Sequence, residues 1–200
     1  MGRSREPKHK TSRRFGIDIY GTGGASLQRR LSLTPGAKPG GRRRKVSEFG
    51  IQLHEKQKAK AIYGVGERQF RRYYEEAERR PGTPGANLLQ LLERRLDNVV
   101  YRMGFARSRP MARQLVSHRH VLVNGKKVNI PSYLVRPGES IGLTETAAQM
   151  PTVIEEVGSN RLLPSWLQHE ETGGRVLQLP SRGDVDMPIN EDMIVEFYSR

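Results

Sequence analysis

Ser108-Arg-Pro-Met-Ala-Arg-Gln-Leu-Val-Ser-His-Arg-His-Val-Leu-Val-Asn-Gly-Lys-Lys-Val128 is the stretch that decides the fold class of this chain. Ser108 can cap a helix, and Pro110 suits a first turn, where its missing N–H has no intrahelical partner to lose. Met111, Ala112, Leu115 and Val116 then recur on one face, the stripe a core-facing helix needs. Arg109 and Arg113 stand one turn apart on another side and are expected to project together toward solvent or a partner. Asn124-Gly125 between β-branched residues predicts a tight hairpin, because a two-residue primed turn needs left-handed backbone at both central positions.

Working outward, Leu92, Leu96, Val99, Val100 and Met103 predict one amphipathic helix over Leu92–Met103, with Arg94, Asn98 and Arg102 on a second face and Gly104 closing it. Downstream, the turn Arg136-Pro-Gly-Glu139 leads into Ser140–Leu143, an alternating strand that can close a small sheet on the two helices. The fold class that follows is α+β, mainly helical: a basic helical lobe plus a small module of two helices packed on a short β-hairpin sheet.

Composition narrows the function class. The chain has 200 residues and a formal net charge of +14, which points to a polyanionic partner. Residues 146–200 are net acidic, which suits a protein contact better than a phosphate contact. Aromatic residues are 6% and Trp166 is the single tryptophan, so wide base-stacking platforms are not expected and backbone recognition is. There is no cysteine, which excludes disulfides and thiolate metal sites. No metal and no cofactor are expected. No apolar run is long enough to span a membrane, the basic first residues lead into no apolar stretch, and the expected compartment is the cytoplasm.

Residues 1–46 read as a basic extended arm, with Gly21–Gly24 a flexible turn and Arg42-Arg-Arg-Lys45 a phosphate clamp. Residues 47–90 read as a helical RNA-binding lobe. Ser47 caps a helix to about Tyr63, with Lys56, Lys58 and Lys60 on solvated faces, and Gly64-Val-Gly66 breaks it. A second helix over Glu67–Arg79 turns Phe70, Tyr73, Tyr74 and Ala77 inward and Arg68, Arg71 and Arg72 outward. Asn87 is expected to cap the way into the module, residues 91–145. Residues 146–200 are expected to pack back on the helical lobe: Ala147–Val157 as a weak helix, Trp166 as core, and Val176–Leu179 and Met193–Tyr198 as short strands that can pair.

The expected RNA contacts are Arg42, Arg43, Arg44, Lys45, Lys56, Lys58, Lys60, Arg68, Arg71, Arg72, Arg94, Arg95, Arg102, Arg107, Arg109, Arg113, His118, Arg119, His120, Asn124, Lys126 and Lys127. Spacing of two at a helix end is not expected to bring the His118 and His120 rings to one face, and no further ligand cluster accompanies them, so RNA contact or packing is preferred to metal. Arg95-Leu-Asp97 matches a triplet used by pseudouridine synthases, yet no catalytic domain follows it, and Asp97 reads as a partner for a nearby arginine or as a first-turn acid favoured by the helix dipole. No nucleophile motif is present. A DNA-reading helix-turn-helix shares the outline of two short helices, but the basic hairpin and the lack of a dimerisation seam favour structured RNA.

Three runs together carry a resemblance: Arg95-Leu-Asp-Asn-Val-Val-Tyr-Arg-Met-Gly-Phe105, Ala112-Arg-Gln-Leu-Val-Ser-His118 and Val123-Asn-Gly-Lys-Lys-Val-Asn-Ile-Pro-Ser-Tyr133. They resemble the RNA-binding module named after small-subunit ribosomal protein four. Gln52–Gly64, Glu67–Tyr74 and Ile189–Arg200 extend the likeness to that family over roughly the whole chain, in a cysteine-free form with His9 and Ser12 where zinc-binding cysteines often stand. The resemblance implies a structural constituent of the small ribosomal subunit, binding the 5′ domain of its ribosomal RNA early and nucleating assembly. It further implies direct contact with ribosomal protein five through the acidic C-terminal end, functional cooperation with ribosomal protein twelve in decoding accuracy, and an arm near messenger RNA where it enters the subunit. The alternative is an RNA-modifying enzyme, or another RNA-binding protein, carrying the same module.

Overall fold

The structure is a computed structural model that describes residues 6–36, 45–157, 162–170 and 173–199. The chain divides into two compact units, one formed by residues 1–75 with 188–200 and one by residues 76–187.

In the first unit, α1 (Lys8–Phe15) and the single-turn α2 (Ala25–Gln28) precede α3 (Glu48–Tyr63). The Ser47 hydroxyl accepts from the Gly50 N–H at 3.2 Å, and Gly64, at φ 61°, closes the helix by donating its N–H to the Lys60 carbonyl. The next helix, α4 (Glu67–Glu78), buries Phe70, Tyr73 and Tyr74 and leaves Arg68, Arg71 and Arg72 exposed, as its 3.6-residue pattern predicts.

The C-terminal residues of this unit depart from expectation. Met193–Tyr198 is not a strand but most of the last helix, Glu191–Tyr198. Asn190 accepts from the Met193 N–H at 3.3 Å, and Glu191 and Asp192 sit in the first turn, where the helix dipole favours acids. Six residues show apolar alternation and helical spacing equally well, and the cap decides between them. The helix lies along α3, where Gln52 Nε2 donates to Glu196 Oε2 at 2.9 Å and Tyr198 stacks on Tyr74 with centroids 4.6 Å apart.

In the second unit the chain continues through α5 (Pro84–Glu93), α6 (Leu96–Arg102), α7 (Arg109–Ser117), β1 (Val121–Val123), β2 (Lys126–Lys127), β3 (Ser140–Leu143), α8 (Glu145–Ala148), α9 (Pro151–Val157), β4 (Leu167–Glu170) and β5 (Gly173–Val176). The helix of the first unit described above, Glu191–Tyr198, is α10. Leu92–Met103 is thus two helices and not one. Arg95 is extended, Val135 donates its N–H to the Arg94 carbonyl at 2.9 Å and Leu96 donates to the Tyr133 carbonyl at 2.8 Å, so the chain trades one helical turn for a bridge to the segment before β3. Asn87 lies inside α5 and does not cap it; its Nδ2 donates to the carbonyls of Ala77, Arg80 and Pro81. Residues 147–157 form parts of two helices because Pro151 cannot continue the first.

The five strands form one antiparallel sheet in the order β2-β1-β3-β5-β4. Asn124 and Gly125, at φ 49° and 75°, make the expected tight turn between β1 and β2. Where the short hairpin sheet was expected alone, β5 pairs with β3, and the 176–179 segment pairs with no tail strand. Gly173 and Gly174 permit this approach, since a Cβ on Gly173 would run into the Ile141 carbonyl. Helices α6 and α7 and the sheet share a core in which Leu96, Val100, Leu115, Val121, Ile141 and Trp166 are all buried.

Candidate nucleic-acid interface

Four of the expected contact residues are buried and serve the interior: Lys56, Arg95, Arg102 and Arg109. A buried guanidinium is tolerable only where carboxylates and hydrogen bonds replace water. Arg95 makes a forked pair with Asp97, Nε to Oδ1 at 3.0 Å and Nη2 to Oδ2 at 2.6 Å, and Arg113 Nη1 donates to the same Oδ2 at 3.1 Å. Arg102 forks onto Glu93 at 3.0 and 3.1 Å and reaches Asp186 at 2.6 Å. Asn98 extends the second set to Arg109, with Nδ2 donating to Glu93 Oε2 at 2.8 Å and Oδ1 accepting from Arg109 Nε at 2.8 Å. The Arg109 guanidinium lies 4.5 Å from the Tyr101 ring centroid.

Of the expectation that Arg109 and Arg113 project together toward solvent or a partner, the distances leave neither for Arg109, which is buried on Asn98 and Tyr101, while Arg113 turns one nitrogen inward to Asp97. The i,i+4 spacing establishes that they share a side, and only packing establishes what that side meets. Asp97 is, as expected, an arginine partner.

Lys56 is also buried, its Nζ 2.9 Å from Glu67 Oε1 and 4.1 Å from the Phe197 ring centroid, which corrects its placement on a solvated face. Lys58 pairs with Glu55 at 2.6 Å and Lys60 with Glu67. Burial works to raise the Glu67 carboxyl, but hydrogen bonds from Lys60, Lys56 and Tyr198 outweigh it and hold the group down at about 2. Tyr198, donating to Glu67 at 3.0 Å, is pushed up by burial and by that bond.

What remains is presented. On the second unit Arg107, His118, Arg119, Asn124, Lys126 and Lys127 are exposed, and His120 and Arg113 are partly so. Arg119 takes φ 65°, and this left-handed reversal after α7 brings the His118 and His120 rings to 6.2 Å between centroids, nearer than a spacing of two suggests. Asn124 Oδ1 accepts from the Ser140 N–H at 2.9 Å, so its side chain braces the hairpin to β3. On the first unit Lys45, Arg68, Arg71 and Arg72 are exposed, with Arg71 Nε donating to Glu75 Oε1 one turn on at 3.2 Å. Arg42, Arg43 and Arg44 lie outside the described residues.

Arg94 is partly buried, with Nε donating to the Val135 carbonyl at 3.0 Å. Its pKa is lowered, first by burial and then by the cationic neighbours Arg80 and Arg136, against the opposing charge of Glu139. Arg136, in the turn before β3, and Lys8, Lys10, Arg29 and Arg30 are exposed cations outside the expected set. Single basic residues in turns and short helices carry no periodic signal.

A helix pair on an antiparallel sheet, with a basic hairpin at its edge, is the build of an RNA-binding S4-type module. The family model described as S4 domain matches residues 94–141, and that described as Ribosomal protein S4/S9 N-terminal domain matches residues 3–93. The chain is 51% identical over 210 residues to the small ribosomal subunit protein uS4 of Desulforamulus reducens, covering 100% of both. It is 49% identical over 202 residues to that of Geobacillus kaustophilus, again with 100% of both covered, and 50% identical over 198 residues to that of Pelotomaculum thermopropionicum, with 94% of each covered. The chain belongs to the uS4 family of small ribosomal subunit proteins.

Proposed function

We propose that this protein is a structural constituent of the small ribosomal subunit that works by binding and not by chemistry, in the cytoplasm. It holds the 5′ domain of the small-subunit ribosomal RNA, nucleates assembly of the subunit body and contributes, with ribosomal proteins five and twelve, to decoding accuracy. The observation that carries the reading is a division of labour among the arginines. Arg95 and Arg102 are held by buried carboxylates and Arg109 by Asn98 and Tyr101, while Arg107, Arg119, Lys126 and Lys127 stand exposed on the same module. Cations held by a packed core lose little freedom when they meet phosphates, and counterion release then favours association at low salt.

Asp97, the acid of the pseudouridine-synthase-like triplet, is 4% exposed and held by two arginines, which supports a binding role over a catalytic one. The exposed acids Asp192 and Glu196 support the acidic end as the surface for ribosomal protein five, and the basic arm before α3 is the part we place near incoming messenger RNA.

The test is a salt titration of affinity for a 5′-domain fragment of small-subunit ribosomal RNA, competed with transfer RNA and duplex DNA. Binding to the fragment that persists above the salt at which both competitors are released is the expected result. Equal loss from all three would refute sequence- and shape-specific recognition.

A further inference from the structure

We propose that Asn124 is a modification site: its carboxamide converts to an isoaspartyl or aspartyl carboxylate when the hairpin tip opens, and a brace from β3 holds the reaction off in the folded chain. The chemistry needs an asparagine followed by a residue whose backbone nitrogen is unscreened. The asparagines are Asn87, Asn98, Asn124, Asn129, Asn160 and Asn190, and of these Asn124 alone precedes a glycine. Asn124 and Gly125 are both exposed, and a Cβ built on Gly125 would meet nothing within 4 Å, so neither a side chain of its own nor a neighbour shields that nitrogen.

The step balances with water as its co-reactant. The Gly125 backbone nitrogen gives its proton to solvent base and bonds to the Asn124 carboxamide carbon. The Cγ–Nδ2 bond breaks, the amide nitrogen takes up a proton and leaves as ammonia, and a succinimide ring has closed. Water then opens either ring carbonyl. One opening gives aspartate; the other gives isoaspartate, in which the main chain runs through Cβ and is one carbon longer. In the closed hairpin this reaction lacks its approach. Asn124 is tied to Ser140 twice, its N–H donating to the Ser140 carbonyl at 2.9 Å and its Oδ1 accepting from the Ser140 N–H at 2.9 Å. The carboxamide therefore faces β3, and the turn holds Asn124 and Gly125 at φ 49° and 75°. Ring closure requires the Oδ1 bond to break and Asn124 to turn about its Cα–C bond until Cγ meets the Gly125 nitrogen. The Ser140 N–H polarises the carboxamide toward attack, but polarisation without approach makes no bond.

Opening is a local event. β2 is a two-residue strand at the end of the sheet, joined to β1 at Leu122↔Lys127 and Val123↔Lys126, so the tip opens at a fraction of the cost of global unfolding. The two products then differ in whether the hairpin can close again. Aspartate keeps an oxygen for the Ser140 N–H and restores the brace, with a negative charge placed next to Lys126 and Lys127. Isoaspartate lengthens the chain between Val123 and Lys126, so the tight turn and the register it sets cannot re-form.

The experiment incubates the full chain near neutral pH in buffer and in denaturing urea, maps its peptides by mass spectrometry and measures isoaspartate by enzymatic carboxyl methylation. In urea, Asn124 is expected to convert ahead of the other asparagines, with isoaspartate among the products. In buffer, conversion is expected to be at least about tenfold slower, because only molecules with an open tip react. Ser140→Pro deletes the donating N–H and is expected to raise the rate in buffer while the circular dichroism spectrum stays native. A second measurement does not depend on that variant folding: in the wild type at sub-denaturing urea, conversion rises in step with hydrogen exchange of the Ser140 amide. Equal rates in buffer and urea overturn the brace as the gate, as does an unchanged rate in folded Ser140→Pro or exchange that rises while conversion does not. Conversion that begins at another asparagine overturns the site. The consequence for RNA rests on the binding reading above: isoaspartyl chains, separated from unconverted ones, bind structured RNA more weakly. Unchanged affinity in that fraction counts against the hairpin as an RNA contact, while the peptide map still decides the site.

Discussion

Arginines of one sequence neighbourhood play opposite parts here, and substitution separates them. Glu93 is fully buried and receives both Asn98 and Arg102, so Glu93→Ala removes the forked partner of a buried guanidinium and leaves it Asp186 at its exposed end; a loss of about 3 kcal/mol in folding stability is expected in a urea titration. Arg109→Ala removes the bond to Asn98 and the contact with Tyr101, and lowers stability by about 1–3 kcal/mol before any RNA is added. Lys126→Gln with Lys127→Gln behaves in the opposite way. Both side chains are exposed on β2, so Tm is expected to hold while the salt slope for RNA shallows by about 0.7 to 0.9 per lost phosphate contact. A variant pair that exchanged these outcomes would reverse the assignment of inward and outward cations. The sequence shows four-residue spacings among Arg94, Asn98, Arg102, Arg109 and Arg113. It does not show that Glu93 stands inside to receive Asn98 and Arg102, because that acid reads equally well as solvated.

At the scale of elements, one carboxylate ties together helices α3, α4 and α10. Glu67 accepts from Lys56, Lys60 and Tyr198, and its pKa falls from the ordinary 4.5 to about 2. A carboxyl depressed in the folded state stabilises it above the unfolded pKa, and that contribution is lost as pH falls through the folded one. Thermal melts between pH 5 and 2 are therefore expected to show Tm declining in the wild type and declining less in Glu67→Gln over that window. In the sheet, β5 approaches β3 so closely that Gly173→Ala should cost about 1–3 kcal/mol, measurable by denaturant midpoint, because the added Cβ meets the Ile141 carbonyl and not a movable side chain. The α3 cap, the Asn124-Gly125 turn and the inward face of α4 were legible in the sequence because each is local. The break at Arg94–Arg95 and the helix at 191–198 were not. An apolar stripe continues across a break that long-range backbone bonds impose, and six residues are too few for periodicity to distinguish helix from strand.

For the whole molecule, the two compact units give a reporter for each. Trp166, the single tryptophan, is buried in the core of the second unit, and α10 belongs to the first. Truncation after Pro188 removes the partner of Gln52 and the rings over Lys56, so the first unit should lose helix signal by circular dichroism, while the denaturation midpoint read by Trp166 fluorescence is expected to hold. A parallel fall in both signals would show that the second unit depends on the clasp. Sequence alone determined the polyanionic partner through its net charge, the helix pair and hairpin through 3.6-residue spacing and turn chemistry, and the family through runs of residues along the chain. Those are properties of composition and of neighbours within a few positions. Only the tertiary structure decided which arginines turn inward, that β4 and β5 complete the sheet, and that Arg94 grips the Val135 carbonyl. Each of these depends on which distant carbonyl or carboxylate is brought within about 3 Å, and hydrogen-bond reach is set by packing and not by order along the chain.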